Sequence, residues 1–281
     1  MTGLVLEGGA MRGLFTAGVL DVLMENGIKL ENVIGVSAGA CFGCNYVSGQ
    51  IGRTIRYNMK YATDKRYCSI SSLIRTGDIF GAQFCYHTLP SELDRFDEGA
   101  FIDSGIPFYV VVTDVKTGEA GYHRMADASY EELEWMRASS SMPLVSNIVA
   151  IDGGRYLDGG ISDSIPLKAS EALGCERNVT VLTKPRGYRK SEDRTLPLIR
   201  IKYRNYPNLI HAMKVRHIAY NEQFEYCLRQ EKAGRNFVIC PKSPLPIGHI
   251  CHDPLVMRET YELGRSEAEE LMPALERFLG M

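Results

Sequence analysis

This sequence predicts an α/β fold: a three-layer α/β/α arrangement whose central sheet is mainly parallel and covered by helices. Strand-like and helix-like segments alternate along the chain, and a strand, a helix and a second strand fit within about forty residues, which calls for a right-handed crossover and parallel pairing. Each of the first two strands also ends in a glycine-rich turn that opens a helix, so both turns fall at the carboxyl edge of one sheet. At 281 residues the chain can bury a substantial core. No break in composition divides it, so residues 1–281 read as one domain with a helical C-terminal part over about 200–281.

The elements follow in order. Gly3 to Glu7 is a short buried strand, followed by Gly8-Gly9-Ala10-Met11-Arg12-Gly13. Phe15, Val19, Val22 and Leu23 then recur at helical spacing, and Asn26-Gly27 supplies the stop. Val33 to Val36 is the second strand, ending in Gly35-Val36-Ser37-Ala38-Gly39, and Ala38 to Val47 is a helix rich in small residues. Phe108 to Thr113, with Pro107 at its start, is β-branched and aromatic, and Gly118 to His123 returns as its neighbour. Tyr130 to Ser139 is helical. Asn147 to Ile151, Asp152-Gly153-Gly154 and Arg155 to Leu157 form a hairpin on the strength of the Asp-Gly turn. Asn178 to Thr183 is a further buried strand, and long helices over 206–232 and 255–279 enclose a strand at Phe237 to Cys240.

Composition excludes several classes of function. The net charge is −2, and no basic-plus-aromatic recognition motif is present, so nucleic acid is not an expected partner. No basic n-region, apolar h-region or cleavage site opens the chain, and no eighteen-residue apolar run occurs. The eight scattered cysteines then read as reduced thiols of a cytoplasmic protein.

The two glycine turns carry chemistry. A serine between a strand and a helix, flanked by glycines whose missing side chains avoid collisions, fits a nucleophile elbow. That makes Ser37 the candidate nucleophile, with Gly35 and Gly39 as support. The helix after it aims the Ala38 amide at the charge that develops on an attacked carbonyl. Amides of Gly8, Gly9 and Ala10 can reach the same oxygen, Gly13 supports the turn, and Arg12 either braces the loop or meets a phosphate. A dinucleotide site is the alternative for such a loop, but Gly8, Gly9 and Gly13 miss the G-x-G-x-x-G spacing and the second strand lacks the ribose-binding acid.

A serine hydroxyl needs a base. Asp152 and Asp158 each precede two glycines. Turn formation already explains Asp152, whereas Asp158, before Gly159-Gly160, stands at a strand end on the way to Pro166 and a helix. Asp158 is therefore the favoured base.

Taken together, the glycine loop, the G-x-S-x-G elbow and the later Asp158-Gly159-Gly160 resemble the patatin-like phospholipase family in its bacterial form, over about residues 3 to 183. The last hundred or so residues carry no recognised family mark. The resemblance implies a Ser37–Asp158 dyad in place of a histidine-containing triad, hydrolysis of lipid acyl esters through an acyl-serine intermediate, and no metal or organic cofactor. Two positions depart from the family pattern: Ala10 stands where a third glycine is usual, and Ser164 where an asparagine often precedes the Pro166 position. The first keeps the amide donor. The second bears on a side-chain hydrogen bond near the aspartate turn.

Other constellations have simpler explanations. His211, His217, His249 and His252 follow Asp158 in the order a triad requires, but none has a catalytic context. Cys41 and Cys44 have redox spacing inside a helix that needs small residues, and Cys240, His249, Cys251 and His252 fit no standard zinc pattern. Residues 184–216 hold ten basic side chains against Glu192 and Asp193, with tyrosines interleaved. That excess suits peripheral docking on an anionic membrane or a cap over an acyl channel, although a solvated loop with a charged helix face is the simpler reading. The leading function is a serine acyl hydrolase acting on a lipid ester. Its alternatives are an acyltransferase or thioesterase using the same serine, and a non-catalytic lipid-binding protein.

Overall fold

The computed structural model describes residues 1–281. Eight strands form one sheet: β1 (Thr2–Leu6), β2 (Asn32–Val36), β3 (Phe108–Asp114), β4 (Ala120–Met125), β5 (Val149–Ile151), β6 (Gly154–Asp158), β7 (Arg177–Val181) and β8 (Asn236–Ile239). The order is β5-β6-β3-β2-β1-β7-β8, with β4 beside β3. From β3 to β8 the strands run parallel, while β4 and β6 are antiparallel to β3 and β5 is antiparallel to β6.

Ten α-helices accompany the sheet: α1 (Gly13–Glu25), α2 (Ala38–Val47), α3 (Arg53–Lys60), α4 (Ile70–Thr76), α5 (Glu98–Asp103), α6 (Tyr130–Ser139), α7 (Leu167–Ala172), α8 (Leu196–Lys202), α9 (Pro207–Lys232) and α10 (Pro254–Leu279). A π-helix spans Gln83–Leu93 with Pro90 inside it. Alternation along the strands separates two cores. Leu4, Leu6, Val33, Val110 and Val179 pack with residues of α1, α2 and α10, whereas Val5, Ile34, Val36, Val111 and Val238 pack with residues of α9. Helices thus cover both faces, as the alternation of elements predicted.

The C-terminal part is woven into this frame. β8 extends the sheet beside β7, and α10 crosses α1 so closely that a Cβ on Gly18 would lie 2.1 Å from the Tyr261 carbonyl oxygen, and one on Gly264 2.0 Å from that of Phe15. Only glycines permit that crossing.

The arrangement that positions the site lies on β3. Val36 of β2 stands opposite Val111, and Asp158 of β6 stands opposite Val112. Because β4 occupies the other edge of β3 at both valines, β2 and β6 lie end to end along a single edge. Ser37 leaves β2 where Asp158 ends β6.

Candidate active site

Ser37 joins β2 to α2 with φ 54° and ψ −121°, a conformation that costs a non-glycine residue about 1–3 kcal/mol. The surroundings enforce it. A Cβ on Gly35 would meet the Ala40 amide nitrogen at 2.7 Å, and one on Gly39 the Leu6 carbonyl oxygen at 2.5 Å. The Ser37 amide donates to Ser139 Oγ at 2.8 Å, so it is not free to bind substrate.

Asp158 is buried, 5% exposed. Its Oδ1 accepts the Gly160 amide at 2.7 Å, its own amide donates to the Ser141 carbonyl at 2.9 Å, and its carbonyl accepts from Thr113 Oγ1 at 2.9 Å. The end of α6 therefore holds both residues, Ser37 through Ser139 and Asp158 through Ser141. Burial raises the Asp158 carboxyl above its ordinary range; the Arg216 charge, the Gly160 amide, the Ser37 hydroxyl and the Lys190 charge oppose it. Gly159 passes so near β3 that a Cβ would lie 2.2 Å from the Val111 carbonyl oxygen. The carbonyl of Gly160 accepts Arg216 Nε at 2.5 Å and Ser164 Oγ at 2.7 Å, so Ser164 does supply a side-chain hydrogen bond at the aspartate turn.

The first glycine loop lies against the serine. A Cβ on Gly8 would be 3.1 Å from Ser37 Cβ, one on Gly9 2.9 Å from Thr183 Oγ1, and one on Gly13 2.8 Å from Ala38 Cβ. Among loop, cap and side-chain hydrogen bonds, the amides of Gly8, Gly9, Ala10 and Ala38 donate to nothing, while that of Met11 donates to the His249 carbonyl at 3.4 Å. Ala10 has φ 49°, so the usual third glycine is replaced at a left-handed position. The loop begins at Glu7, a buried carboxylate held by the Thr183 amide and hydroxyl and by the Tyr220 hydroxyl.

From Ser37 an apolar channel runs between α2, the π-helix and α6. Eighteen of its twenty-two lining residues are hydrophobic, among them Phe42, Tyr86, Leu89, Leu133 and Met136. Such a channel suits a hydrocarbon chain.

Asp152 is elsewhere. It occupies the exposed tip of the β5–β6 hairpin with φ 50°, followed by Gly153 with φ 74°, a left-handed pair suited to a two-residue turn. The histidines make no hydrogen bond to Ser37 or Asp158. His252 Nδ1 meets the Ala62 carbonyl at 2.8 Å, His217 Nδ1 is buried without a partner and His211 is exposed. His249 is pushed down to about 4 by partial burial and the charges of Arg12, Lys184, Lys190 and Arg216. Cys41 and Cys44 line the channel, and burial pushes their thiols up to about 11 and about 12, the opposite of a reactive redox pair. Cys240, His249, Cys251 and His252 form no metal-ligating group of three.

Two contributors to the site escaped the sequence reading. The run Ser139-Ser140-Ser141 at the end of a helix was the available signal for one. Glu7, a charged residue closing a buried strand, was the signal for the other. In the basic stretch, Arg186 pairs with Glu231 and Arg189 with Glu225, while Leu198 and Ile201 of α8 are 58% and 71% exposed. No helix is long and apolar enough to cross a membrane.

Two family models match the chain: patatin-like phospholipase over residues 4–170, and a domain of unknown function (DUF6363) over residues 206–280. The second match takes in α9, β8 and α10, so the C-terminal part does carry a family mark. An uncharacterized protein of Escherichia coli strain K12, YjjU, is 28% identical over 93% of this chain and 74% of its own length. The lysophospholipase nte1 of Emericella nidulans is 29% identical over 62% of this chain, which spans only 11% of that protein. Among solved structures, VipD from Legionella pneumophila aligns over 97% of this chain and 67% of its own, at 14% identity and a TM-score of 0.47.

Proposed function

Because the chain belongs to the patatin-like phospholipase family, we propose that it is a serine acyl hydrolase that cleaves carboxylic esters of lipids through Ser37 and Asp158. The observation that carries this reading is a strained serine beside a buried carboxylate at the mouth of an apolar channel. In the proposed reaction Asp158 takes the Ser37 proton as Oγ attacks the ester carbonyl. Amides of Gly8, Gly9, Ala10 and Ala38 stabilise the oxyanion. The alcohol leaves with a proton from Asp158, and water, deprotonated by the same carboxylate, releases the fatty acid from acyl-Ser37. Burial supports Asp158 in this work, because a raised pKa makes a carboxylate a stronger base.

The exposed Leu198 and Ile201, with Arg200, Lys202 and Arg204 on and beside α8, suit contact with a lipid surface. We include that contact in the proposal, and vesicle binding that ignores anionic lipid content argues against it. The catalytic reading is tested with a panel of phospholipids, lysophospholipids, neutral esters and thioesters. Ser37→Ala abolishes fatty-acid release and Asp158→Asn lowers it by about 10²–10⁴-fold while the protein stays folded, and mass spectrometry of the wild type finds an acyl adduct on Ser37. Full activity in either variant overturns the dyad.

A further inference from the structure

The wall of the apolar channel has a second, polar side. A cleft of about 480 Å³ opens there between α4, the π-helix and α6, and only three of its thirteen lining residues are hydrophobic. The same two elements border both spaces. On α6, Leu133 and Met136 line the channel, while Tyr130, Glu134 and Arg137 line the cleft. On the π-helix, Cys85, Tyr86 and Leu89 line the channel, while His87 and Thr88 line the cleft. Spacings of three and four residues on α6 keep each set on one face, so one wall separates an apolar chamber from a polar one.

Three arginines line the cleft: Arg66 from the loop before α4, Arg75 from α4 and Arg137 from α6. Carboxylates orient two of them. Arg66 donates Nε and Nη2 to Asp64 and lies 4.6 Å from the centre of the Phe84 ring, and Arg137 donates Nε and Nη2 to Glu134. In both, Nη1 is left without a hydrogen-bond partner. Arg75 makes no ion pair. Its Nε makes one long contact, 3.4 Å to the Ser71 carbonyl, and both its terminal nitrogens are free. Glu134 is the one carboxylate in the lining, and it is already engaged, accepting from His87 Nε2 at 2.8 Å as well as from Arg137. His87 is itself buried and stacks on Tyr130 with ring centres 3.8 Å apart. Even with Asp64 counted, the arginines outnumber the carboxylates. Nothing in the cleft takes up their remaining N–H groups.

We infer that this cleft is an effector site for a small anion carrying two or more oxyanion groups, held by Arg66, Arg75 and Arg137. Guanidinium groups pair with the oxygens of carboxylates and phosphates, and arginines on three separate elements suit a ligand with more than one such group. Ser72 and Thr88 add hydroxyls to the lining. A volume of this size admits a small metabolite and its polarity excludes a hydrocarbon chain, so the ligand is distinct from an ester in the channel. The oxygens belong either to a di- or tricarboxylate or to a phosphorylated compound. Once bound, the anion ties α4 and the loop before it to α6, whose end holds Ser37 through Ser139 and Asp158 through Ser141. Occupancy of the cleft therefore stiffens the channel wall. The binding site itself does not depend on the acyl-hydrolase reading.

The test uses the full chain and needs no turnover. Citrate and pyrophosphate are titrated separately into the wild type by calorimetry at fixed ionic strength. Saturable binding of citrate alone assigns the cleft to carboxylates, binding of pyrophosphate alone assigns it to phosphates, and binding of both assigns it to either class. In each case Arg75→Gln and Arg66→Gln weaken the binding about tenfold or more, as expected for loss of one charge-assisted contact. Arg75 is exposed and makes no ion pair, so Arg75→Gln keeps the wild-type denaturation midpoint and its effect is read on folded protein. Amide hydrogen exchange, followed by mass spectrometry, slows in α6 and the π-helix when the anion is added to the wild type. In Arg75→Gln the same anion concentration slows it less. No saturable binding of either anion overturns the inference. So does binding that both arginine variants leave unchanged, because the anion then sits elsewhere on the protein.

Discussion

Ser139 Oγ accepts a hydrogen bond from the Ser37 amide at 2.8 Å, across 102 residues of chain. Its fully buried hydroxyl comes from the last turn of α6. It fixes the serine by its backbone and leaves Oγ of Ser37 uncommitted to Ser139.

Ser139→Ala leaves the Ser37 amide buried and unpaired. It destabilises the protein by about 1–3 kcal/mol, measured by chemical denaturation. The turnover number for a short-chain ester also falls. Unchanged stability and turnover together refute the role given to Ser139.

In the proposed dyad, ester hydrolysis depends on pH through Asp158. Its folded pKa lies above the ordinary value, so kcat/KM drops about tenfold for each pH unit below that raised pKa and levels off above it. The sign for stability is the reverse. Ionising a buried carboxyl with a raised pKa penalises the folded state at neutral pH, and the penalty disappears as pH falls below the unfolded value. Asp158→Asn therefore raises Tm at neutral pH while lowering kcat by about 10²–10⁴-fold, and the gain in Tm narrows in acid. A lower Tm at neutral pH contradicts this account.

Leu133 lines the channel and is half-buried. Leu133→Trp narrows the channel, so the ratio of kcat/KM for long-chain over short-chain esters drops about tenfold, the scale of one or two lost methylene contacts. A series of p-nitrophenyl esters of increasing length measures it.

Gly264→Ala drives a methyl group into the Phe15 carbonyl at the α1–α10 crossing. Overpacking of this kind costs about 1–3 kcal/mol, and backbone against backbone leaves little room to relax. The denaturation midpoint falls accordingly. A midpoint equal to wild type means that the helices can part without cost.

Much of the architecture was legible because sheet strands here are short apolar runs closed by glycine turns. The expected limits of the helices at Ala38–Val47 and Tyr130–Ser139 coincide with those observed. The region from α3 to α5 offered no such pattern. In α3, Arg53, Thr54 and Asn58 are buried, satisfied by Asn45, Asp94 and Tyr67 rather than by apolar spacing. The π-helix has no simple sequence period and contains a proline. Turn chemistry separated Asp152 from Asp158 because an Asp-Gly pair at a hairpin tip has a local explanation. Pairing of Asp158 with Val112, however, depends on strand register, which composition does not encode.

With β2 and β6 abutting on one side of β3, a third strand acts as the ruler that spaces the two halves of the proposed dyad. The bend at Asp152 and Gly153 can be lengthened or exchanged while the active centre stays intact. One residue inserted within β6 would instead turn the acid toward the opposite layer, because side chains alternate along a strand. Sequence drift is thus tolerated at the tip of this hairpin and forbidden along its returning arm.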